Sequence, residues 1–83
     1  MTISEARRLN ALEIMKENAL DELSFAMCLG LEEVQISVLL TEGSSKKISD
    51  SLARIMEQTF SKSQLWLDGG EGEGQGPSFD LFG

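Results

Sequence analysis

The side chains best able to recognise another molecule are concentrated in residues 32–38. The chain has no histidine and one cysteine. It therefore lacks the residue types from which a nucleophile–base pair or a zinc site is usually built. We predict no enzymatic activity, no cofactor and no metal. What remains is recognition by carboxylates, an amide, a hydroxyl and apolar groups, carried by Glu32, Glu33, Val34, Gln35, Ser37 and Val38.

The chemistry of these residues favours a protein partner over nucleic acid. The amide of Gln35 could recognise adenine, and a single glutamate could accept a hydrogen bond from cytosine N4. Two adjacent acids, Glu32 and Glu33, would instead repel phosphate. Val34 and Val38 predict an apolar stripe at the surface, which suits a protein surface. A local alternative for the two acids is that carboxylates stabilise the amino end of a helix.

The charge of the chain points the same way. Fourteen acidic and seven basic residues give a net charge of −7. Residues 1–68 hold eleven acids and all seven bases, a balance of −4, which has the wrong sign for non-specific binding to nucleic acid. Two adjacent basic pairs could supply a local patch, the first on the exposed side of the first helix and the second in a loop, where a solvated turn is the alternative. The candidate phosphate contacts are Arg7, Arg8, Lys46 and Lys47.

The spacing of apolar residues predicts four short helices. Ser4 and Ser49 are the predicted N-caps of the first and the fourth helix. Trp66 is predicted to close the core, and Cys28 is predicted to be a buried or half-buried hydrophobe. The predicted helices cover 4–17, 20–28, 31–41 and 49–60, and their predicted core residues include Leu9, Leu12, Met15, Leu52, Ile55, Met56 and Phe60.

The segment from Glu22 to Leu40 has the pattern of a helix-turn-helix. The small Ala26 allows two helices to approach closely. Gly30 can adopt the positive φ that ends the first helix and redirects the chain. The apolar residues of this motif are Phe25, Leu29, Leu31, Ile36 and Leu39.

The composition changes sharply after residue 68. The run GGEGEGQGP holds five glycines and no apolar side chain, so it is predicted to be a flexible linker. We predict a folded domain over 1–68 and, over 69–83, a Gly-rich acidic tail that ends in an apolar docking peptide. The alternatives are a strand or turn folded back on the domain's own groove, and a segment without function. The predicted docking residues are Phe79, Asp80, Leu81 and Phe82.

Residues 5–68 resemble the DNA-binding domain of λ-repressor-like (Cro/CI-type) regulators of phages and plasmids. The resemblance rests on the FAxxLGL pattern that begins at Phe25, on Ile36-Ser37, and on the run ISDSLARIMEQTFSKSQLWLD. It implies an all-α fold, a compact bundle of four to five short helices that contains a helix-turn-helix.

The same resemblance implies which positions would contact DNA. Members of the family read base edges from the first half of the third helix and hold phosphates from the start of the second. The second helix of this chain starts at Asp21 and Glu22, and its third helix carries the acids described above. The recognition helix is therefore divergent and acidic.

The tail resembles a second known pattern. Ser78–Phe82 is similar to the peptide by which bacterial polymerases and repair proteins dock on the sliding clamp, and its last three residues match that pattern. A tethered apolar peptide is a common means of weak docking.

Together these features predict a small non-enzymatic transcription regulator. We expect it to act mainly through protein–protein contact with a repressor or another phage or stress-response component, as a co-repressor or anti-repressor. One alternative is a direct DNA-binding Cro/CI-type repressor, with a homodimer as an option. A further alternative is a sliding-clamp-binding or DNA-mimic protein. No signal peptide or membrane-spanning run is present in the sequence, so we expect a bacterial or phage protein in the cytoplasm, without a membrane partner.

Overall fold

The structure is a computed structural model, and it describes residues 2–69 of the chain. Within that range it contains four α-helices and no β-strand, which confirms the predicted all-α bundle. The helices are α1 (Ile3–Glu17), α2 (Glu22–Leu29), α3 (Glu33–Leu40) and α4 (Asp50–Thr59). Residues 64–69, which follow α4 after four intervening residues, form a series of turns that we call the closing turn. The predicted tail lies outside the described residues.

Side chains fix where the helices start. Oγ1 of Thr2 accepts a hydrogen bond from the amide of Glu5 at 3.1 Å, and Oε1 of Glu5 accepts one from the amide of Thr2 at 3.0 Å. This reciprocal capping box starts α1 before Ser4, so the prediction that Ser4 is the N-cap is wrong. The prediction for α4 is confirmed, because Oγ of Ser49 accepts from the amide of Leu52 at 3.2 Å.

The core lies where the four helices meet the closing turn. Fully buried alanines on α1, α2 and α4 let the backbones approach closely, and the rings of Phe25 and Phe60 pack with centroids 5.6 Å apart. Burial of apolar surface of this kind is the main term that favours the folded state. The largest fully buried side chains are Phe25, Ile14, Ile36, Met56 and Leu67.

Part of the predicted core is wrong. Leu9, Leu12 and Ile55 are 41%, 37% and 44% exposed. The buried face of α1 runs instead through Ala11 and Ile14, which are completely buried. An apolar spacing of three or four fits more than one helical face, and the neighbouring elements decide which face is covered.

The end of the domain is closed by Leu67 together with the predicted Trp66, which is packed against the core. Leu67 is completely buried, whereas Trp66 is half-buried and lies beneath Nζ of Lys62, 4.5 Å from the centre of the ring. Nδ2 of Asn10 donates to the carbonyl of Leu67 at 3.0 Å and ties the turn to α1. On α2, the prediction that Cys28 is buried or half-buried is wrong, because its side chain is exposed.

Arg7 holds the two ends of the domain together. Its guanidinium donates to the carboxylate of Asp68 at 2.7 and 3.1 Å, to Asp50 at 2.7 Å and to the carbonyl of Ile48 at 2.8 Å. Arg7 is only 7% exposed, so the prediction that it lies on the exposed side of α1 is wrong. The guanidinium can be buried because its donors find charged and carbonyl acceptors.

A second arginine extends this network into α4. Arg54 donates to Asp68 at 2.9 Å and to both carboxylate oxygens of Glu57 at 2.7 and 2.9 Å. Glu57 is 2% exposed and accepts the backbone amides of Leu65 and Leu67 at 3.2 and 2.8 Å. Two arginines and two carboxylates therefore join α1, α4 and the closing turn.

No single helix in residues 2–69 is long and apolar enough to cross a membrane. Only α2 and α3 together reach the required length and composition, and their axes are bent by 110°.

The arginine network predicts unequal effects for two carboxylates that share one guanidinium. Asp68→Asn should lower the free energy of unfolding by about 2–4 kcal/mol, because it leaves two poorly solvated arginines short of a partner. Asp50→Asn is the matched control, since the side chain of Asp50 is 90% exposed, and it should cost less than about 1 kcal/mol. Urea unfolding followed by circular dichroism measures both. Equal losses would contradict the assigned role of Asp68.

The same carboxylate predicts how stability depends on pH. Hydrogen bonds from Arg7, and then from Arg54, hold the pKa of Asp68 below its ordinary value of 3.8. Because the folded-state pKa is the lower one, ionised Asp68 contributes stability above the ordinary value and loses it as the pH falls through the folded-state pKa. Unfolding free energies measured from neutral pH to below pH 3 should fall more steeply for the natural chain than for Asp68→Asn. The variant should keep some acid sensitivity, because the pKa values of Glu5 and Asp21 are also lowered.

Candidate partner-binding face

The geometry of α2 and α3 is that of a helix-turn-helix. Three residues join the two helices, and the axes are bent by 110°, within the range usual for this motif. Gly30 ends α2 with φ of 72°. The amide of Leu31 then donates to the carbonyl of Ala26 at 2.9 Å and closes the last turn, as in a Schellman ending.

Two buried side chains on α3 determine which of its residues face outwards. Ile36 is completely buried and Leu40 is 7% exposed. They anchor α3 against the rest of the core, so the remaining positions turn away from it. Among those predicted from the sequence, five are exposed and Ser37 is half-buried: Glu32, Glu33, Val34, Gln35 and Val38.

The amide of Gln35 is used within the helix itself. Its Oε1 accepts the backbone amide of Glu32 at 2.8 Å, so it acts as a capping group at the start of α3. Bidentate recognition of adenine needs both the oxygen and the nitrogen of such an amide. Gln35 could read a base only after this hydrogen bond is broken.

The apolar part of the face is a groove. Val34 and Val38 are 62% and 37% exposed, and they line this groove with Gln35, Leu39 and Lys46. We call it the valine groove. Its walls are largely apolar with one cation at the edge, so it suits an apolar side chain that has a carboxylate close by.

Three of the four candidate phosphate contacts come together beside this groove. Arg8, Lys46 and Lys47 line a cleft between the start of α1 and the loop before α4, here called the loop cleft. Glu5 and Glu42 line it too, so the cations do not form a continuous positive rim. Arg7 is not part of this cleft, because the ion pairs described above hold its guanidinium.

The amino ends of both helices of the motif are acidic. Asp21 caps α2 by accepting the amide of Ser24 at 2.8 Å, and this hydrogen bond lowers the pKa of Asp21. Glu22 follows in the first turn. Glu32 and Glu33 hold the corresponding place on α3. Each pair lies where a helix dipole stabilises negative charge.

Some of the arrangement was missed from the sequence. The arginine network includes Arg54 and Glu57, whose ion pair was not predicted. The two charged residues are three positions apart within a largely apolar stretch, and this spacing is the sequence signal that indicates such a pair. Lys46 was predicted as a loop cation, yet it lines both the loop cleft and the valine groove. Within residues 2–69 no cluster of three or more potential metal ligands occurs. The predicted docking residues Phe79, Asp80, Leu81 and Phe82 fall outside that range.

The fold and this face define a small helical domain in which α2 and α3 have the geometry of a helix-turn-helix. The chain is 36% identical over 67 residues to the prophage repressor CohE of Escherichia coli (strain K12). The match covers 81% of this chain but only 30% of that repressor, so the chain spans less than a third of its relative's length. This weak homology indicates a repressor-like helical domain. No family model matches the chain, and no solved structure does either.

The turn of the motif gives a prediction about backbone strain. A Cβ built on Gly30 meets no atom within 4 Å, so only its φ of 72° opposes a side chain. Gly30→Ala should therefore lower the free energy of unfolding by about 1–2 kcal/mol. Gly30→Asn should cost clearly less, because asparagine tolerates the left-handed region. Chemical denaturation of the two variants compares them, and an equal loss would show that strain at φ is not the cause.

Proposed function

We propose that this chain is a small repressor-like transcription regulator of a phage-type circuit, and that it acts through protein–protein contact at the exposed face of α3. In this role it is a co-repressor or anti-repressor, and its partner is a repressor or another component of the same circuit. The observation that carries the proposal is the combination on α3 of the valine groove with two carboxylates, Glu32 and Glu33, in the place where a DNA reader would approach the bases.

The chemistry of this face indicates the kind of partner. Burial of exposed valines releases apolar surface from water and supplies affinity. The carboxylates at the start of α3 would be complemented by arginine or lysine side chains, which steer association and fix its orientation. The expected partner surface therefore presents an apolar side chain for the valine groove with basic residues at the position of Glu32 and Glu33.

The charges of the described residues oppose close contact with duplex DNA. Three of the seven cations are already used in ion pairs within the domain: Arg7, Arg54 and Lys62. The acidic amino ends of α2 and α3 would approach the phosphates, and bringing like charges together without releasing counterions is unfavourable.

Direct DNA binding is the second candidate, and one observation favours it. Arg8, Lys46 and Lys47 come together in the loop cleft next to α3, where they could contact a phosphate backbone. The name of the relative, a prophage repressor, is compatible with either candidate. A direct reader would also need the amide of Gln35 to leave its capping position.

A DNA titration separates the two candidates. Under our proposal, the full chain at low salt shows no salt-sensitive binding to random duplex in an anisotropy assay, and Glu32→Lys with Glu33→Gln gains such binding. Under direct DNA binding, the unmodified chain already binds. If three cations contact phosphates, raising the salt from 50 to 200 mM should then weaken binding by roughly 40-fold. Combined Arg8→Gln, Lys46→Gln and Lys47→Gln should abolish it.

The protein contact is tested on the same face. Purified candidate repressors of the host circuit are titrated with the full chain, with Val34→Ser/Val38→Ser, and with Ile55→Ser as a control. Ile55 is a comparably exposed apolar residue on α4. Binding that is lost with the double valine variant and retained with the control supports the proposal. Equal binding by all three forms would place the contact elsewhere and overturn it.

A further inference from the structure

The valine groove and the loop cleft form one continuous surface, because Leu39 and Lys46 line both. We propose that the chain's own segment Phe79–Phe82 docks on this surface in cis. In this arrangement its apolar side chains occupy the valine groove and the carboxylate of Asp80 faces Lys46. The docked segment would cover the face of α3 that the proposed function requires.

The chemistry of the two sides is complementary. The groove offers exposed valines with a cation at its edge, and the segment offers three large apolar side chains around a single carboxylate. Residues 70–83 contain three acids and no base. The loop cleft contributes Arg8 and Lys47 beside Lys46. In the docked arrangement, the acids that precede the apolar segment would face these cations.

The tail leaves the domain close to this surface. The guanidinium of Arg7 bonds at once to Asp68 and to the carbonyl of Ile48, at 2.7 and 2.8 Å, and Ile48 lines the loop cleft. A Cβ built on Gly69 would lie 3.5 Å from Cβ of Ala6, the residue next to Glu5 in the cleft wall. One guanidinium group thus joins the side chain of Asp68 to the backbone of Ile48, a residue that lines the cleft.

The length of the tether is comparable with the dimensions of the domain. Phe79 lies ten residues beyond Gly69, and ten residues extend at most about 33 Å. A Gly-rich chain of this length has a root-mean-square span of about 17 Å, whereas the domain measures 38 × 25 × 21 Å. A short tether gives an effective concentration in the millimolar range, so an intrinsic dissociation constant of about 1 mM leaves the groove roughly half occupied.

Docking in cis would regulate the face that it covers, and this consequence rests on the proposed function. A partner that binds the valine groove must displace the tail, so its apparent affinity is its intrinsic affinity multiplied by the fraction of chains in which the groove is free. Removing the apolar tail side chains should therefore strengthen partner binding about twofold at half occupancy.

The sequence offers a selective probe, because Val34 and Val38 are the only valines in the chain. In the full-length protein labelled at valine methyl groups, Phe79→Ala/Leu81→Ala/Phe82→Ala should shift the NMR signals of both residues. Phe79→Tyr/Phe82→Tyr keeps both aromatic rings in the tail, and with them the ring currents, so it should leave the valine signals close to their original positions. The indole signal of Trp66 serves as the control for an intact core and should not move. Unchanged valine signals in the alanine variant overturn the proposal.

Two further measurements test the ion pair and the cis arrangement. Lys46→Gln should reduce the response of the valine signals to the tail substitutions, whereas Lys16→Gln, an exposed cation outside both surfaces, should not. The response should also be independent of protein concentration. A response that disappears on dilution means that the tail of a second copy occupies the groove, which overturns docking in cis. If the valine signals respond to the tail substitutions but no repressor binds the chain, docking in cis is supported and the proposed function is wrong.

Discussion

The structure depends on the buried guanidinium of Arg7. It contacts Asp68, Asp50 and the carbonyl of Ile48, so one side chain near the start of the domain fixes both the entry to α4 and the closing turn. A buried cation is costly unless every donor finds a partner. This requirement gives the W-L-D ending a physical role: its aspartate accepts two of the four hydrogen bonds that the guanidinium donates, and the preceding leucine fills the core.

The residues that fix the fold are different from the residues that form the outward surface of α3. The bend between α2 and α3 is fixed by Gly30 and by buried anchors such as Ile36. None of these groups constrains the outward positions of α3. The same helix-turn-helix geometry can therefore present either cations or, as here, carboxylates and valines. Because fold and surface are specified by different residues, homology to a repressor does not determine what α3 binds.

Sequence reasoning predicted those parts of the fold that depend on local signals. Helix periodicity, the Ser49 cap and the left-handed Gly30 are all short-range features, and the structure has them as expected. The exposed Val34 and Val38 also follow from local spacing. Arg7 could not be placed correctly, because its burial depends on carboxylates 43 and 61 residues away. The exposure of Leu9 has the same origin: the pattern along α1 fits two faces, and tertiary contacts select one.

The separation of 61 residues between Arg7 and Asp68 has a consequence for synthesis on the ribosome. Arg7 emerges early from the exit tunnel, but its main acceptor is added only when nearly the whole domain has been translated. Until then the guanidinium stays hydrated by water, and the apolar face of α1 remains uncovered. Completion of this domain is therefore a late event that comes after the release of Asp68 from the tunnel, rather than a gradual process that follows the order of its helices.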